Sequence, residues 1–407
     1  MSFKQTTGIV FFLLTVSFVS AQRGLPISLY PADSIPNSKT ASATYKETYA
    51  NGNYTMVTHP SITPYFPKVG TATGTAVLVI PGGGYEAVAI DLEGYAIAQK
   101  FCDIGITAFV LKYRLPDDRI MIDRSIGPFQ DAQRAIQMIR QRAGEWNLDT
   151  NKIGVIGFSA GGHLASTLGT HLTATVIDNK ANINLRPDFM ILMYPVITMG
   201  NYTHQGSKNA LIGANATSAQ VTLFSNEKQV TTDTPPTFIA HAYTDPVVPS
   251  VNSTQFYYAL LNAKIICEKH FYNTGGHGFG LTSPYPQENL LDLIQNWLKA
   301  NGWVQQVTAI TNLQAEDSLS VSAFPNPFTN NFTVRFRLSN SERNVALEIY
   351  DSKGQLINKI SQKNVAADKV YTQTFNANRF NEGIYFVKLI TAQKTHSIKL
   401  VKINAID

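Results

Sequence analysis

Short apolar runs alternate with longer amphipathic stretches between about residue 75 and residue 302. The runs are rich in β-branched and aromatic residues and predict six strands, at 75–80, 106–113, 152–158, 188–194, 237–242 and 265–271. Helical spacing lies between them, as where Ala132, Ile136 and Ile139 recur on one face of 129–142. Apolar strands separated by helices are typical of a mostly parallel sheet with helices on both faces. The pattern predicts an α/β fold of this kind.

Residues 44–59, which precede these strands, alternate between polar and apolar around Asn51-Gly52-Asn53. An Asn-Gly pair flanked by such alternation predicts a β-hairpin with a tight turn. We expect this hairpin to form an antiparallel edge of the same sheet.

The pattern changes after Gly302. Residues 304–321 are polar and carry no periodicity, which predicts a linker. Residues 322–407 contain short alternating runs at 331–338, 345–350, 384–389 and 396–401, separated by turn signals such as Asp351-Ser352-Lys353-Gly354. Strands at this spacing predict a small all-β antiparallel sandwich without a helix.

The first 21 residues read as a secretory signal peptide. Lys4 precedes an apolar run from Ile9 to Val19, and small residues follow at Ser20 and Ala21. Eleven apolar residues rise only about 16 Å as a helix, roughly half of a hydrocarbon core, which disfavours a membrane anchor. No other stretch approaches the apolar length of a membrane span. We therefore predict a folded α/β domain at 22–303, in a mature protein that is secreted or at the cell surface and has no transmembrane segment.

Composition narrows the possible partners. The 407 residues are 44% hydrophobic and 15% charged, which supports folded domains rather than a disordered chain. A net charge of +5 is mild at this length, so nucleic acid is not an expected partner. The two cysteines, Cys102 and Cys267, fall in a predicted core helix and a core strand. They exclude a disulfide framework, and the absence of paired Cys/His spacing argues against structural zinc.

A candidate nucleophile follows the strand at 152–158. Gly157-Phe158-Ser159-Ala160-Gly161 is a GxSxG motif between a strand and a predicted helix, the context in which a sharp turn exposes a reactive serine. A glycine-rich turn that only joins a strand to a helix is the structural alternative. The helix N-terminus beside Ser159 favours negative charge, as an activated hydroxyl requires.

A nucleophilic serine needs a base, and the base needs an orienting carboxylate. Asp245 and His277 each follow a predicted strand, at the sheet edge where parallel α/β sheets bind ligands. Their chain order of Ser, Asp and His is that of α/β hydrolases. His163 and His241 are expected in the core, and no chemical context marks the remaining histidines: His59, His171, His204, His270 and His396.

A glycine-rich loop supplies candidate donors for an oxyanion. Pro81-Gly82-Gly83-Gly84-Tyr85 follows the first predicted strand of the sheet. The backbone N–H groups of Gly83, Gly84 and Ala160 are the candidate oxyanion hole. A phosphate-binding loop is disfavoured because neither GxGxxG nor GK[ST] is present.

These motifs, with Tyr113-Arg114-Leu115-Pro116 and the run Asp131–Ile136, resemble secreted carbohydrate esterases of the acetyl xylan esterase type, relatives of the hormone-sensitive-lipase group. The resemblance implies an α/β-hydrolase fold, Ser159, Asp245 and His277 as catalytic residues, and no metal or cofactor. Pro81 stands where the lipase relatives have histidine. Four further residues are candidates for lining the mouth of the site, with structural packing as the alternative: Tyr85, Glu93, Tyr113 and Arg114.

The C-terminal region resembles the sorting domain of the type IX secretion system of Bacteroidetes. The similarity rests on Ala323–Phe328, Val345–Gln355, Gly383–Lys388 and a lysine-rich end. It implies export through the periplasm and across the outer membrane, with the type IX machinery as a partner. The alternative is a carbohydrate-binding sandwich, which favours exposed tryptophans; Trp146, Trp297 and Trp303 all lie before this region.

The resemblances together predict a secreted serine esterase that removes acetyl, or another small acyl group, from plant polysaccharide such as acetylated xylan. A feruloyl or short-chain lipid carboxylesterase is the alternative enzyme. A serine peptidase is less favoured, because no second substrate domain precedes the hydrolase region. A catalytically inactive glycan-binding surface protein is the alternative outside the enzymes, and the intact set of Ser159, Asp245 and His277 argues against it.

Overall fold

The computed structural model describes residues 22–285, 287–304, 320–324, 326, 328–338, 340–392 and 395–403. The predicted signal peptide and most of the predicted linker lie outside these residues. The chain divides into two compact units, with the boundary between Gln306 and Val307. Within the described residues, no helix has the length and apolar character needed to cross a bilayer.

Within the described residues, the first unit contains eleven strands and seven α-helices. The strands are β1 (Gln22–Arg23), β2 (Ile27–Ser28), β3 (Thr48–Ala50), β4 (Asn53–Thr55), β5 (Ser61–Phe66), β6 (Ala76–Ile80), β7 (Thr107–Lys112), β8 (Ile153–Phe158), β9 (Met190–Met193), β10 (Thr237–Ala242) and β11 (Cys267–Tyr272). All six strands predicted between residues 75 and 271 are present. Their ends differ from the predicted ends by no more than two residues.

Seven α-helices accompany them: α1 (Ala96–Asp103), α2 (Gly127–Gln141), α3 (Ser159–Thr170), α4 (Gln205–Ile212), α5 (Ser218–Leu223), α6 (Val251–Asn262) and α7 (Leu290–Ala300). A π-helical turn (Ile90–Tyr95) precedes α1, and a 3₁₀ turn (Asn226–Lys228) follows α5. Pro128 stands in the first turn of α2, where a missing N–H breaks no intrahelical bond.

The central sheet has the spatial order β1-β5-β7-β6-β8-β9-β10-β11, and β2 also pairs with β5. Six neighbouring strands of this order, β7, β6, β8, β9, β10 and β11, run parallel, whereas β5 is antiparallel to β7. Strands β6, β8, β9 and β10 are buried along their whole length, as expected for strands covered on both faces. The predicted mostly parallel α/β-hydrolase fold is confirmed.

The predicted hairpin forms but does not join the central sheet. Strands β3 and β4 pair around Asn51 and Gly52, whose φ angles of 50° and 77° fit a tight turn, and they make a separate two-stranded sheet. The antiparallel pairing with β7 is made instead by β5, which contains Pro64. The prediction of the sheet edge was wrong. A proline has no N–H for the strand ladder, so the sequence around Pro64 was not recognised as a strand.

A buried ion pair joins β7 to α2. Arg114 follows β7 with its side chain 1% exposed, and Asp131 on α2 is fully buried. The guanidinium donates to both carboxylate oxygens, and the Arg114 backbone N–H donates to Asp131 Oδ2 at 2.8 Å. Every donor and acceptor is thus satisfied inside the core, the condition under which a buried charge pair is tolerated.

The second unit consists of antiparallel sheets around its own core. Its strands are β12 (Ser320–Phe324), β13 (Asn331–Arg337), β14 (Glu342–Asp351), β15 (Leu356–Val365), β16 (Val370–Asn376), β17 (Gly383–Ile390) and β18 (Thr395–Lys402). They form one sheet of order β12-β13-β16 and another of order β15-β14-β17-β18. Phe328, Phe332 and Phe375 lie in the shared core. The all-β prediction is confirmed, and the described residues of this unit contain no helix.

We predict that Asp131→Ala lowers the free energy of unfolding by about 3–5 kcal/mol, because it leaves the Arg114 charge buried and unpaired. Lys180→Ala is the control. It breaks the solvent-exposed pair with Asp178 and should leave the urea midpoint unchanged. Urea unfolding followed by tryptophan fluorescence measures both, and equal midpoints for the two variants would contradict the prediction.

Candidate active site

Ser159 occupies a strained turn between β8 and α3. Its φ is 50°, in the left-handed region that non-glycine residues rarely adopt, directly after the extended Phe158. Glycines make the turn possible because its surroundings leave no room for side chains. A Cβ on Gly161 would lie 2.2 Å from the carbonyl oxygen of Ile80, and one on Gly157 would lie 2.4 Å from the Gly161 oxygen. The side chain of Ser159 is thereby fixed at the carboxyl end of β8.

The structure brings Ser159, His277 and Asp245 into one chain of hydrogen bonds. His277 lies in the loop after β11, with Nε2 at 3.0 Å from Ser159 Oγ. Its Nδ1 lies 2.6 Å from Asp245 Oδ2, in the loop after β10. An Nδ1–H donated to the carboxylate leaves Nε2 free to accept the serine proton. The arrangement can therefore activate a hydroxyl nucleophile.

Asp245 is held as a carboxylate by several donors. Its Oδ1 accepts backbone N–H groups from Val247 at 2.8 Å and Val248 at 2.9 Å, and its Oδ2 faces both His277 and His241. Burial raises the pKa of Asp245, but the hydrogen bonds from His241, His277 and Val248 outweigh it and hold the pKa well below its ordinary value. Asp245 therefore stays ionised at neutral pH and can stabilise an imidazolium on His277.

His241 contacts the site, which the sequence interpretation did not foresee. It is fully buried on β10, and its Nε2 lies 2.9 Å from the Val248 carbonyl and 3.2 Å from Asp245 Oδ2. Two acceptors at Nε2 require a proton on that nitrogen, so Nδ1 accepts the Ser253 hydroxyl at 2.7 Å. His241 is thus a second donor to the carboxylate. Its spacing of four residues from Asp245 was the only sequence signal.

The glycine-rich loop approaches Ser159 at Gly82, where an added Cβ would lie 2.9 Å from the Cβ of Ser159. Gly83 and Gly84 have φ angles of 120° and 67°, which turn their amides away from regular pairing. Within the part of the chain that the structure describes, the N–H groups of Gly83, Gly84 and Ala160 donate to no protein acceptor. The N–H of Gly82 is used differently, since it donates to Glu93 Oε2 at 2.8 Å. Free amides at this position suit a developing oxyanion.

The four residues considered for the mouth of the site are all buried. Tyr85, Tyr113 and Arg114 are 2%, 0% and 1% exposed, and Glu93 is 9% exposed. The Tyr113 hydroxyl donates to the carbonyl oxygen of Pro81 at 2.9 Å, and Arg114 is the partner of Asp131. Tyr113 and Glu93 thus bond to the backbone of the glycine-rich loop, and Arg114 has the structural packing role that was the alternative.

Two further histidines are located by the structure. His163 is fully buried between the Tyr85 hydroxyl at 2.9 Å and the Phe224 carbonyl at 2.8 Å, in the core role predicted for it. Burial lowers the pKa of His163 to about 4, so it is neutral at pH 7. His204, assigned no context by sequence, caps α4 beside the loop, with Cε1 3.8 Å from the position of a Cβ on Gly84.

Among the described residues, no group of three or more His, Cys, Asp or Glu side chains is arranged to hold a metal ion. The residues gathered around Ser159 fit nucleophilic catalysis by a serine hydroxyl. A buried serine hydroxyl, a histidine base, an ionised aspartate and free backbone amides are the components of acyl transfer.

Comparison with known families gives two matches. Residues 63–260 match the model of the BD-FAE family, and residues 322–404 match that of the secretion system C-terminal sorting domain. The chain is 42% identical over 204 residues to Endo-1,4-beta-xylanase B of Butyrivibrio fibrisolvens, which is 50% of this chain and 32% of that protein. It is 33% identical over 271 residues to an acetylxylan esterase of Xylanibacter ruminicola, 65% of this chain and 52% of that protein. The chain thus spans about a third and about half of these relatives.

Solved structures show the same similarity. An acetyl ester-xyloside bifunctional hydrolase from Caldicellulosiruptor lactoaceticus is 34% identical, with a TM-score of 0.60 over 71% of this chain and 100% of that chain. A thermophilic esterase from Thermogutta terrifontis shares the fold at 22% identity, with a TM-score of 0.52 over 61% of this chain and 92% of that chain.

We predict that a fluorophosphonate probe phosphonylates Ser159 selectively, because its hydroxyl is hydrogen-bonded to the His277 base. Asp245→Asn should slow labelling by about 10³–10⁴-fold, since an amide favours the wrong tautomer of His277. Peptide mass spectrometry over time measures both rates. Equal labelling of the parent and Asp245→Asn would contradict this account of the site.

Proposed function

Because this chain belongs to the α/β-hydrolase carbohydrate esterases and ends in a secretion-system sorting domain, we propose that it is an exported serine esterase. Its substrate is an acetylated plant polysaccharide such as acetylated xylan, from which it removes acetyl or another small acyl group. The observation that carries the proposal is the hydrogen-bonded chain from Ser159 through His277 to Asp245.

The reaction begins with transfer of the acyl group to the protein. Ser159 Oγ attacks the ester carbonyl as His277 Nε2 takes the hydroxyl proton. The N–H groups of Gly83, Gly84 and Ala160 bind the oxyanion, and removal of one such donor typically costs about 2.7–4 kcal/mol in other hydrolases. His277 then returns the proton to the sugar oxygen. The C–O bond to the sugar breaks and leaves an ester on Ser159.

Water completes the cycle by the same route. His277 takes a proton from the water molecule, which attacks the acyl-enzyme carbonyl, and then returns the proton to Ser159 Oγ as the carboxylic acid leaves. Asp245 remains ionised throughout because its low pKa keeps it a carboxylate. No redox step or cofactor enters the balance.

The substrate class rests on the relatives. Three of them are named as an endo-1,4-beta-xylanase, an acetylxylan esterase and an acetyl ester-xyloside bifunctional hydrolase. The site of this chain supplies the Ser159 nucleophile, and we assign the polysaccharide through these relatives. Feruloyl esters and short-chain lipid esters are the competing substrates in the test below.

The second unit supports export. It matches the sorting-domain model over residues 322–404, and we assign the type IX secretion machinery as its partner. Its buried core of phenylalanines, leucines and valines belongs to the unit itself. The unit is thus a separately packed module, as a recognition signal for a transport system requires.

We predict that the protein from Gln22 to Asp407 releases acetate from acetylated xylan and hydrolyses p-nitrophenyl acetate, whereas Ser159→Ala is inactive on both, because the nucleophile is removed. Acetate is measured by an enzyme-coupled assay. Activity on the small ester but not on xylan would reject the polysaccharide and direct the assay to feruloyl and lipid esters. Inactivity of the parent on every ester would contradict the enzyme and favour a binding protein.

We predict that removal of residues 322–407 retains the protein in the periplasm of a host that has the type IX system, with esterase activity in the cell fraction. Residues 322–404 match the sorting-domain model, so the truncation removes this export signal. Cell fractionation measures this outcome. Undiminished secretion of the truncated protein would contradict the assignment.

A further inference from the structure

A second buried carboxylate lies behind the site and has no role in the acyl-transfer steps. Glu93 is on the π-helical turn (Ile90–Tyr95), with 9% of its surface exposed. Burial raises the pKa of Glu93, against the opposing effects of hydrogen bonds from Tyr194 and Gly82 and of the charge on His277. Burying a carboxylate that has no lysine or arginine partner costs free energy of folding, unless hydrogen bonds from its surroundings compensate it.

Both carboxylate oxygens of Glu93 accept a hydrogen bond. Oε2 accepts the backbone N–H of Gly82 at 2.8 Å, and Oε1 accepts the Tyr194 hydroxyl at 2.8 Å. A proton on either oxygen would face one of these donors, so the geometry fits the ionised form. Gly82 is fixed closely to the nucleophile, since a Cβ on Gly82 would lie 2.9 Å from the Cβ of Ser159.

Tyr194 links Glu93 to the loop that contains His277. Its hydroxyl accepts the backbone N–H of Gly280 at 2.9 Å, three residues after His277. Its ring packs edge-on against the His277 imidazole, with centroids 4.9 Å apart, and against Phe279 at 4.7 Å. Tyr194 itself has a φ of 37° and is fully buried. A strained, buried tyrosine at this point is consistent with a constraint on the loop that holds His277.

We propose that Glu93 is a positioning residue for the esterase reaction: as a carboxylate it ties the glycine-rich loop to the His277 loop through Tyr194. Its negative charge also favours the imidazolium that forms on His277 during acyl transfer. This inference rests on the proposed function, because the two loops carry the oxyanion donors and the base of that reaction.

The surroundings of Glu93 define how its ionisation affects the reaction. The groups that face it are the Gly82 amide, the hydroxyls of Tyr194 and Tyr113, and His277, which is itself paired with Asp245. The only group among them that gains a positive charge is His277. The Glu93 charge is therefore better compensated in the transition state than in the free protein, and only such a difference accelerates the reaction.

The test is Glu93→Gln, which keeps the shape and one acceptor but removes the charge. We expect kcat for p-nitrophenyl acetate to fall by about 10–100-fold with KM little changed, as for a misplacement of catalytic groups on the order of 1 Å. The acidic limb of the kcat/KM profile should move to lower pH. The parent needs Glu93 ionised, and burial raises the pKa of Glu93, whereas glutamine has no charge to lose as the pH falls.

Asp91→Asn is the matched control. It makes the same chemical change on the same π-helical turn, but Asp91 is half-buried and its partner is the Tyr49 hydroxyl rather than the site. We expect Asp91→Asn to have the kcat of the parent and an acidic limb of the kcat/KM profile at the same pH as in the parent. The melting temperatures of Glu93→Gln and Asp91→Asn should stay within about 5 °C of the parent, which separates positioning from loss of the fold.

Tyr194→Phe keeps the ring against His277 and removes only the hydroxyl link. If Glu93 and Tyr194 act as one unit, the double variant Glu93→Gln/Tyr194→Phe should be as active as the less active of the two single variants. Additive losses, or a Glu93→Gln protein with parental kcat and an unmoved acidic limb, would overturn the inference. The activity of the parent decides the proposed function separately, because each variant is judged as a ratio to it.

Discussion

The positive φ of Ser159 is the constraint on which the rest of the site depends. A serine keeps this conformation because β8 approaches α3 too closely for a side chain at Gly157, and α3 lies too close to the end of β6 for one at Gly161. The same contact presses Gly161 against the carbonyl oxygens of Ile80 and Pro81, where the glycine-rich loop begins. The nucleophile and its oxyanion donors are therefore positioned by one packing arrangement, and a change in either would move the other.

Two buried carboxylates serve the site in opposite electrostatic settings. Asp245 accepts bonds from two backbone amides and two histidines, which lowers its pKa despite burial. Glu93 accepts only two bonds, and burial raises its pKa. Asp245 is thus ionised over a wide pH range and orients His277 directly, whereas Glu93 acts through Tyr194 and is the more sensitive to acid. The pair shows how donor count, rather than burial alone, sets the charge state.

The sequence predicts the parts of this protein that follow from local rules. Ser159 stands in a motif, and Asp245 and His277 follow the ends of adjacent parallel strands, which topology brings to one edge. The contributions of His241, Glu93 and Tyr194 come from tertiary contacts; Tyr194 and Glu93 are 101 residues apart. Strand β5 was missed because Pro64 interrupts its pattern, and β15 because most of its residues are exposed on both faces.

The central claim is that acyl transfer passes through Ser159. The most direct measurement is a rapid acid quench of the protein during turnover of p-nitrophenyl acetate, followed by mass spectrometry of its peptides. The account predicts a single acetyl group on the peptide that contains Ser159, and none in the Ser159→Ala protein. Hydrolysis of the ester by the parent without any acetylated Ser159 peptide would contradict it.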